Sequence, residues 1–199
     1  FVAPHDPILL QIASPIPADD VLSLETLADV DQMLEVAYGE QKDAGKPVLV
    51  GLAAPQIGIS KRIILVDLLA DGKGKVGDLR VFINPEIVRS SQEQNEWYEG
   101  CFSTGRVCGI VSRPTKIRVR SFTREGAKIE EEYSGMTARI FQHEIDHLNG
   151  LEFVSHVHDD DKLHWVEKEE FPEYRDQGAW RNWHRKCSRE EWNKIKTGR

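Results

Sequence analysis

The 199-residue chain is 40% hydrophobic and 30% charged, proportions of a globular domain large enough to bury a core. Its formal net charge of -7 excludes a general nucleic-acid binder, since no basic stripe neutralises phosphates, and no apolar run reaches the roughly 20 residues of a membrane-spanning helix. Three cysteines, Cys101, Cys108 and Cys187, do not make a disulfide framework and favour a reducing compartment.

The chain opens at Phe1, and nothing near it resembles a signal or transit peptide. Residues 1–20 mix prolines (Pro4, Pro7, Pro15, Pro17) with apolar residues, which predicts an extended arm lying on the body. Leu24, Leu27, Val30, Met33, Leu34 and Ala37 recur at helical spacing, so residues 23–41 read as one amphipathic helix ended near Gly45 and Pro47. Branched residues favour strands over 48–50, 62–69 and 81–87, with Gly72, Gly74 and Gly77 marking an exposed turn before the last. Over 115–122, Ile117, Val119 and Ser121 alternate with Lys116, Arg118 and Arg120 as in a half-buried strand. Glu125-Gly126 then turns the chain into a strand over 128–133, and helical period returns over 135–148 through Met136, Ile140, Ile145 and Leu148.

The last forty residues differ in composition. Three aspartates at 159–161 open them, Trp165, Trp180, Trp183 and Trp192 stud a polar background, and Ser188 with Glu191 matches a capping box before a short helix near 189–196. The whole predicts an α+β fold: a β-rich body of mostly antiparallel strands around a central helix, with an N-terminal helix. It divides into a main domain over 1–157 and a C-terminal extension, 158–199, packed on or flanking it.

His143 and His147 stand four apart, so both imidazoles leave one face of the helix and can meet a single ion, with Glu144 beside it. Such an ion lowers the pKa of a water, and the carboxylate takes its proton. An ordinary helix with two surface histidines is the bland alternative. Catalytic sites of this kind take three protein ligands. The metzincin pattern HExxHxxGxxH fits at Gly150 but fails at Phe153, where its third histidine belongs. A gluzincin would recruit Glu167, Glu169 or Glu170 from a charged run otherwise read as a solvated face. A thiolate is the remaining candidate. Cys101 lies in Glu99-Gly100-Cys101-Phe102-Ser103, where glycine permits close approach, against a buried core thiol as the alternative. Cys108 and Cys187 lack such a context and read as core thiols.

Gly51-Leu52-Ala53-Ala54-Pro55-Gln56, Glu99-Gly100-Cys101-Phe102-Ser103 and Gln142-His143-Glu144-Ile145-Asp146-His147 occur in this order, the last extended by Leu148 and Gly150. They resemble the three motifs of peptide deformylases, and the resemblance covers residues 5–157. It implies that Cys101, His143 and His147 bind one divalent metal ion, iron(II) in vivo with zinc, nickel or cobalt accommodated. It implies Glu144 as general base and proton carrier. Gln56, through its side-chain amide, and Phe102, through its backbone N–H, are the implied donors to the oxyanion. The implied substrate is an N-formylmethionyl peptide of a nascent chain, extended beside Leu49, Val50 and Gly51. Val50, Met136 and Ile140 would wall the methionine pocket, with His143 at its edge and Glu99 and Gly100 beside it. Glu99 and Arg113 are candidates for an ion pair that fixes the motif loop, and Asp146 for anchoring the helix. The resemblance further implies proximity to the ribosome, with no direct contact to nucleic acid or membrane. Its members are cytoplasmic in bacteria and mitochondrial or plastid in eukaryotes; none of these residues implies an oligomeric state.

Three positions depart from the family pattern. Leu49 stands for the first motif glycine and is expected to narrow the entrance or reshape the methionine pocket. Phe102 stands for leucine, with its backbone N–H retained. Thr104-Gly105 replaces an aliphatic-proline pair, which predicts a less constrained loop. An active deformylase with altered substrate selectivity follows. A hydrolase of another N-acyl substrate, a gluzincin-type peptidase and a non-catalytic peptide-binding descendant are the rivals. Retention of Glu144 and Gln56 weighs against the last.

Overall fold

In a computed structural model that describes residues 1–42, 49–70 and 77–198, helix α1 (Leu24–Lys42) precedes strands β1 (Gly51–Ala53), β2 (Ile63–Asp67) and β3 (Leu79–Ser90). Strands β4 (Gln94–Gly100), β5 (Val107–Pro114), β6 (Lys116–Phe122) and β7 (Lys128–Ser134) follow, then helix α2 (Gly135–Leu148). A short strand β8 (Leu163–Trp165) and helices α3 (Phe171–Arg175) and α4 (Arg189–Thr197) complete the chain. The strands form a five-stranded sheet, β1-β2-β3-β6-β7, and a three-stranded sheet, β4-β5-β8, with antiparallel pairing throughout. This is the α+β class that the sequence pattern predicts. Among the described residues, no helix is long and apolar enough to cross a membrane.

β2 explains the layering. All five of its residues are buried, because the sheet carries a helix on each face. Ile64 and Val66 join Phe141, Ile145 and Leu148 of α2 in one apolar cluster. Ile63 and Leu65 join Val30, Met33 and Ala37 of α1 in the other. The central helix α2 is thus gripped along its apolar side by the sheet, which leaves its remaining side for chemistry. Its end is fixed by sequence too. Gly150 has φ +70°, and a Cβ there would stand 2.6 Å from the Leu10 carbonyl oxygen of the N-terminal arm. The same arm is held by Asn84, whose side chain bonds the Ile16 backbone N–H at 2.9 Å and its carbonyl at 2.6 Å.

The second sheet is covered on both faces by residues from the far end of the chain. Val107 and Val111 of β5 pack with Cys187 and Trp192, whereas Cys108 and Ile110 pack with Tyr174, Trp180 and Trp183. The alternation of β5 therefore sorts the C-terminal aromatics into two clusters.

Several expectations need correction. The strand expected at 48–50 is observed three residues later, as β1; Val48 lies outside the described residues, as do the helix stop at Gly45 and Pro47 and the turn glycines Gly72 and Gly74. Leu24 is 88% exposed, so the apolar stripe of α1 starts later than its periodicity suggests. β4, β5 and β8 escape the sequence pattern. β4 reads Gln-Asn-Glu-Trp-Tyr-Glu-Gly, largely polar because it is an edge strand, and β5 is an apolar run interrupted by Gly109.

Candidate active site

Three separate elements deliver the motif residues to one place. The β4–β5 connection carries Cys101, in extended backbone conformation (φ -143°, ψ 146°) at the entrance to a 3-10 turn, Phe102–Thr104. Helix α2 presents His143 and His147 one turn apart. A 3-10 turn after β1, Ala54–Ile57, carries Gln56. One donor atom from each of Cys101, His143 and His147 lies within 4.8 Å of the other two, and Cys101 Sγ is 3.2 Å from His147 Nε2. Gln56 is locked by accepting the Ala53 backbone N–H at 2.7 Å, which turns its amide nitrogen toward Cys101 Sγ (3.1 Å) and Ser103 Oγ (3.2 Å).

Thr104 corrects the expectation of a loosely held loop. It is fully buried, and its hydroxyl lies 2.9 Å from the Cys101 carbonyl oxygen and 3.0 Å from that of Val107. A hydrogen-bonded threonine here does by bonding what a proline would do by its ring.

Glu99 is the hub beneath the cluster. Its carboxylate accepts from Arg113 at 2.6 and 2.8 Å, from Arg139 Nη1 at 2.7 Å and from His143 Nδ1 at 2.8 Å. Arg113 and Glu99 are both buried, so this is an interior ion pair rather than a surface one. Arg113 also reaches Asp146 at 2.8 Å, and His156 donates to the same Asp146 oxygen at 2.8 Å, so Asp146 anchors α2 from outside the cluster. Burial alone would raise the Glu99 pKa, but Arg113 and His143 hold it well below the usual carboxylate range. With Glu99 ionised, His143 donates from Nδ1 and turns Nε2 toward Cys101. Burial likewise opposes the Cys101 thiolate, yet the imidazoles of His147 and His143 bring its pKa well below that of a free thiol.

This donor set fits a divalent metal. A thiolate and two imidazoles, one with its tautomer fixed by a carboxylate, are a ligand set that would hold an ion such as zinc or iron(II). Two buried polar atoms beside them, Glu144 Oε2 and His147 Nδ1, have no hydrogen-bond partner in the protein. Such atoms call for a ligand or ordered water. Burial pushes the Glu144 carboxyl up to about 7, in the range of a group that takes and returns a proton near neutrality. Gly51 makes room for it: a Cβ there would collide with the Glu144 carboxylate and lie 2.8 Å from Ile140 Cγ2. In contrast, the other cysteines are inert by environment. Cys108 is buried, with its pKa raised to about 12, and Cys187 is buried as well.

A cavity of 390 Å³ opens in front of the cluster, bordered by Leu49, Val50, Gly51, Gln56, Glu99, Gly100, Cys101, Phe102, Met136, Ile140, His143 and Glu144. The structure therefore gathers the residues singled out from sequence, with His147 just behind, 1% exposed. Leu49 alters one expectation. It borders the cavity but is only 1% exposed and packs with Val30, Met33 and Leu52 on the α1 side of the sheet. Its side chain is core, which removes the basis for a narrowed entrance. The Phe102 ring stacks on Phe1 at 4.7 Å.

Among the described residues, Cys101, His143 and His147 form the one grouping with metal-ligand geometry, and no downstream glutamate joins it. Glu167 and Glu170 instead pair with Arg185. Sequence reasoning missed Arg139, although a charge four residues before His143 on an apolar helix side was a usable signal. It gave no role to Ser103, which receives the Gln56 amide, and missed Trp97, which borders the cavity from β4, a strand the pattern did not reveal.

The Polypeptide deformylase family model matches residues 1–163. The peptide deformylase of Rhizobium meliloti (strain 1021) is 41% identical over 152 residues, 76% of this chain and 80% of that protein. A Met-Ala-Ser-bound class I type b peptide deformylase from Acinetobacter baumannii superposes with a TM-score of 0.68 at 34% identity, covering 76% of this chain and 93% of that one. The Plasmodium falciparum peptide deformylase in complex with an inhibitor superposes with a TM-score of 0.66 at 28% identity, covering 98% of this chain and 97% of that one.

Proposed function

The chain belongs to the peptide deformylase family of enzymes, and on that premise we propose that it removes the formyl group from N-formylmethionyl peptides by metal-dependent hydrolysis. The observation that carries this reading is the convergence of Cys101, His143 and His147 with Gln56 and the unpartnered carboxylate oxygen of Glu144 at one end of a single cavity. A divalent ion held by the three ligands, iron(II) in vivo or zinc, nickel or cobalt in its place, supplies a Lewis acid and an acidified water. Glu144 takes the proton of the attacking water and returns it to the amine that leaves, so that formate and a free methionyl N-terminus result. The Gln56 amide and the Phe102 backbone N–H donate to the formyl oxygen as negative charge grows on it. Glu99 keeps His143 in the tautomer that presents Nε2.

The peptide lies extended beside residues 49–51, and its methionine side chain enters the apolar part of the cavity near Val50, Met136 and Ile140. The Acinetobacter baumannii relative was solved with Met-Ala-Ser bound, which supports a tripeptide product in such a cleft. Nascent chains close to the ribosome are the natural source of this substrate. Selectivity that departs from the family would arise at Leu49 through its packing in the core, which sets the path of Val50 and Gly51. Leu49→Gly should then shift KM for formyl-methionyl peptides, and unchanged kinetics would remove that part of the reading.

The central test is anaerobic purification with metal analysis, followed by formate release from formyl-Met peptides beside acetyl- and longer acyl-Met controls. One metal per chain and formate release confined to the formyl series are expected, with metal lost in Cys101→Ser. A metal-replete protein that releases no formate, or that keeps its metal in Cys101→Ser, would overturn the proposal.

A further inference from the structure

The cavity in front of the metal ligands does not end at the family motifs. Its outer side is made by Lys168, Phe171 and Arg175, on or just before α3 and beyond the last residue that the family model matches. This wall stands close to the chemistry. The Phe171 ring reaches to 3.9 Å of the point where a Cβ on Gly100 would be, and Gly100 directly precedes Cys101. Arg175 is held across the same place, with Nε donating to the Tyr98 hydroxyl at 3.0 Å and its guanidinium 5.2 Å from the centre of the Phe171 ring. Both of these partners are neutral.

The charges around the cavity are unevenly matched. On the inner side, Arg113 and Arg139 are balanced by Glu99, which pairs with both, and by Asp146, which pairs with Arg113. Behind the outer side, Arg185 is neutralised by Glu167 and Glu170. Among the described residues, no carboxylate pairs with Lys168 or Arg175. In a chain of net charge -7, two cations thus border a peptide cleft with no carboxylate among the described residues paired to them. An arginine positioned by a phenol and an aromatic face keeps its remaining N–H groups pre-organised for a carboxylate.

We propose that Lys168, Phe171 and Arg175 form a substrate subsite that selects acidic residues shortly after the formyl-methionine. Phe171 gives the peptide an apolar surface beside Gly100, and the two cations take an aspartate or glutamate side chain from the first residues downstream. The inference rests on the deformylase reading for the direction in which the peptide runs.

The test compares formyl-Met-Asp-Ala amide and formyl-Met-Ala-Asp amide with their lysine counterparts, the amide removing the terminal carboxylate. At low ionic strength kcat/KM for the better acidic peptide should exceed that of its lysine partner by about fivefold or more, the ratio falling as salt is added. The double variant Lys168→Glu with Arg175→Gln should lose or reverse the ratio; because the ratio is internal to each preparation, a partly unfolded fraction cancels. Formate release from all four peptides at equal efficiency overturns the subsite and leaves the deformylase reading standing. If no peptide releases formate, that reading fails. Binding of the deformylated Met-Asp-Ala and Met-Lys-Ala amides, followed by tryptophan fluorescence, then decides the subsite alone: tighter binding of the acidic peptide supports it and equal binding overturns it.

Discussion

On the α2 side of the cleft, Glu99 gathers two arginines and His143 within 2.8 Å, whereas on the α3 side Tyr98, Phe171, Tyr174 and Trp180 meet ring against ring at centroid separations of 5.2–6.3 Å. Ionic hydrogen bonds are directional and fix atoms; aromatic packing fixes a volume and tolerates rearrangement. A buried ion network is rarely the most stable filling for a core, since well-packed hydrophobic residues often do as well. Its presence beneath His143 is better explained by the need to hold a ligand nitrogen in place. The outer wall has no such demand, because a substrate subsite needs shape and charge rather than fixed coordination. The inner wall is therefore expected to fail by losing chemistry, and the outer wall by losing selectivity and local order.

The largest effect should come from the group that does no structural work. Glu144→Gln keeps the shape of the side chain but removes the proton carrier, so kcat should fall by about 10²–10⁴-fold with metal stoichiometry retained. Formate-release kinetics beside metal analysis read both quantities; a variant with near-normal kcat would break the assignment of roles within the inner wall. Next comes the hub. Glu99→Ala leaves Arg139 buried without a carboxylate and Arg113 with Asp146 alone, at a cost of about 3–5 kcal/mol in urea unfolding. Freed from its carboxylate, His143 should also bind metal about 10–100-fold more weakly in a chelator competition. If stability falls while metal affinity holds, Glu99 is merely structural and the contrast between the walls weakens.

Trp180→Ala probes the other side. The ring is 2% exposed and packs on Trp97 at 5.4 Å, so its loss should cost about 3 kcal/mol. Metal content should be unchanged, with loss of near-ultraviolet circular dichroism from the aromatic cluster. Metal that falls in step with that signal would show that the two walls order as one unit.

The two walls also differ in how far they could be read from sequence. The inner wall was legible because its residues sit on short motifs whose spacing matches a helix: His143 and His147 one turn apart, with Glu144 between. The thiolate was legible only as one of several third ligands until the three motifs were seen together. Arg139 and the buried state of Arg113 were not, because each depends on β4 and β5 being neighbours, and β4 has the polar composition of an edge strand. The outer wall was illegible for a stronger reason. Lys168 and Arg175 read as ordinary charges in a polar segment, and only long-range packing of Trp180 and Tyr174 beneath β5 brings them to Gly100. Leu49 shows the converse error. A departure from a motif drew attention to the cleft, while the side chain that makes the departure points into the core.

The smallest expected effect tests whether the outer wall carries a charge preference of its own at its base. His164 on β8 is fully buried; its Nε2–H donates to the Asp161 carbonyl at 3.2 Å, and its Nδ1 accepts from the Tyr174 hydroxyl at 2.9 Å. Burial and the neighbouring Lys186 ammonium lower its pKa from 6.5 to about 4, against a smaller opposing pull from the Asp161 carbonyl. The unfolded chain therefore binds a proton at a pH where the folded chain does not. The contribution of neutral His164 is complete above about pH 6.5 and is lost as the pH falls toward about 4. One pH unit in this window is worth at most about 1.4 kcal/mol, and water around the exposed Lys186 screens part of it, leaving about 1–3 °C in Tm. Thermal unfolding of the metal-loaded protein and of His164→Gln between pH 5 and 7 separates this from other titrations. The wild type should lose more Tm than the variant on acidification, and parallel curves would mean that the aromatic base of the outer wall is indifferent to charge.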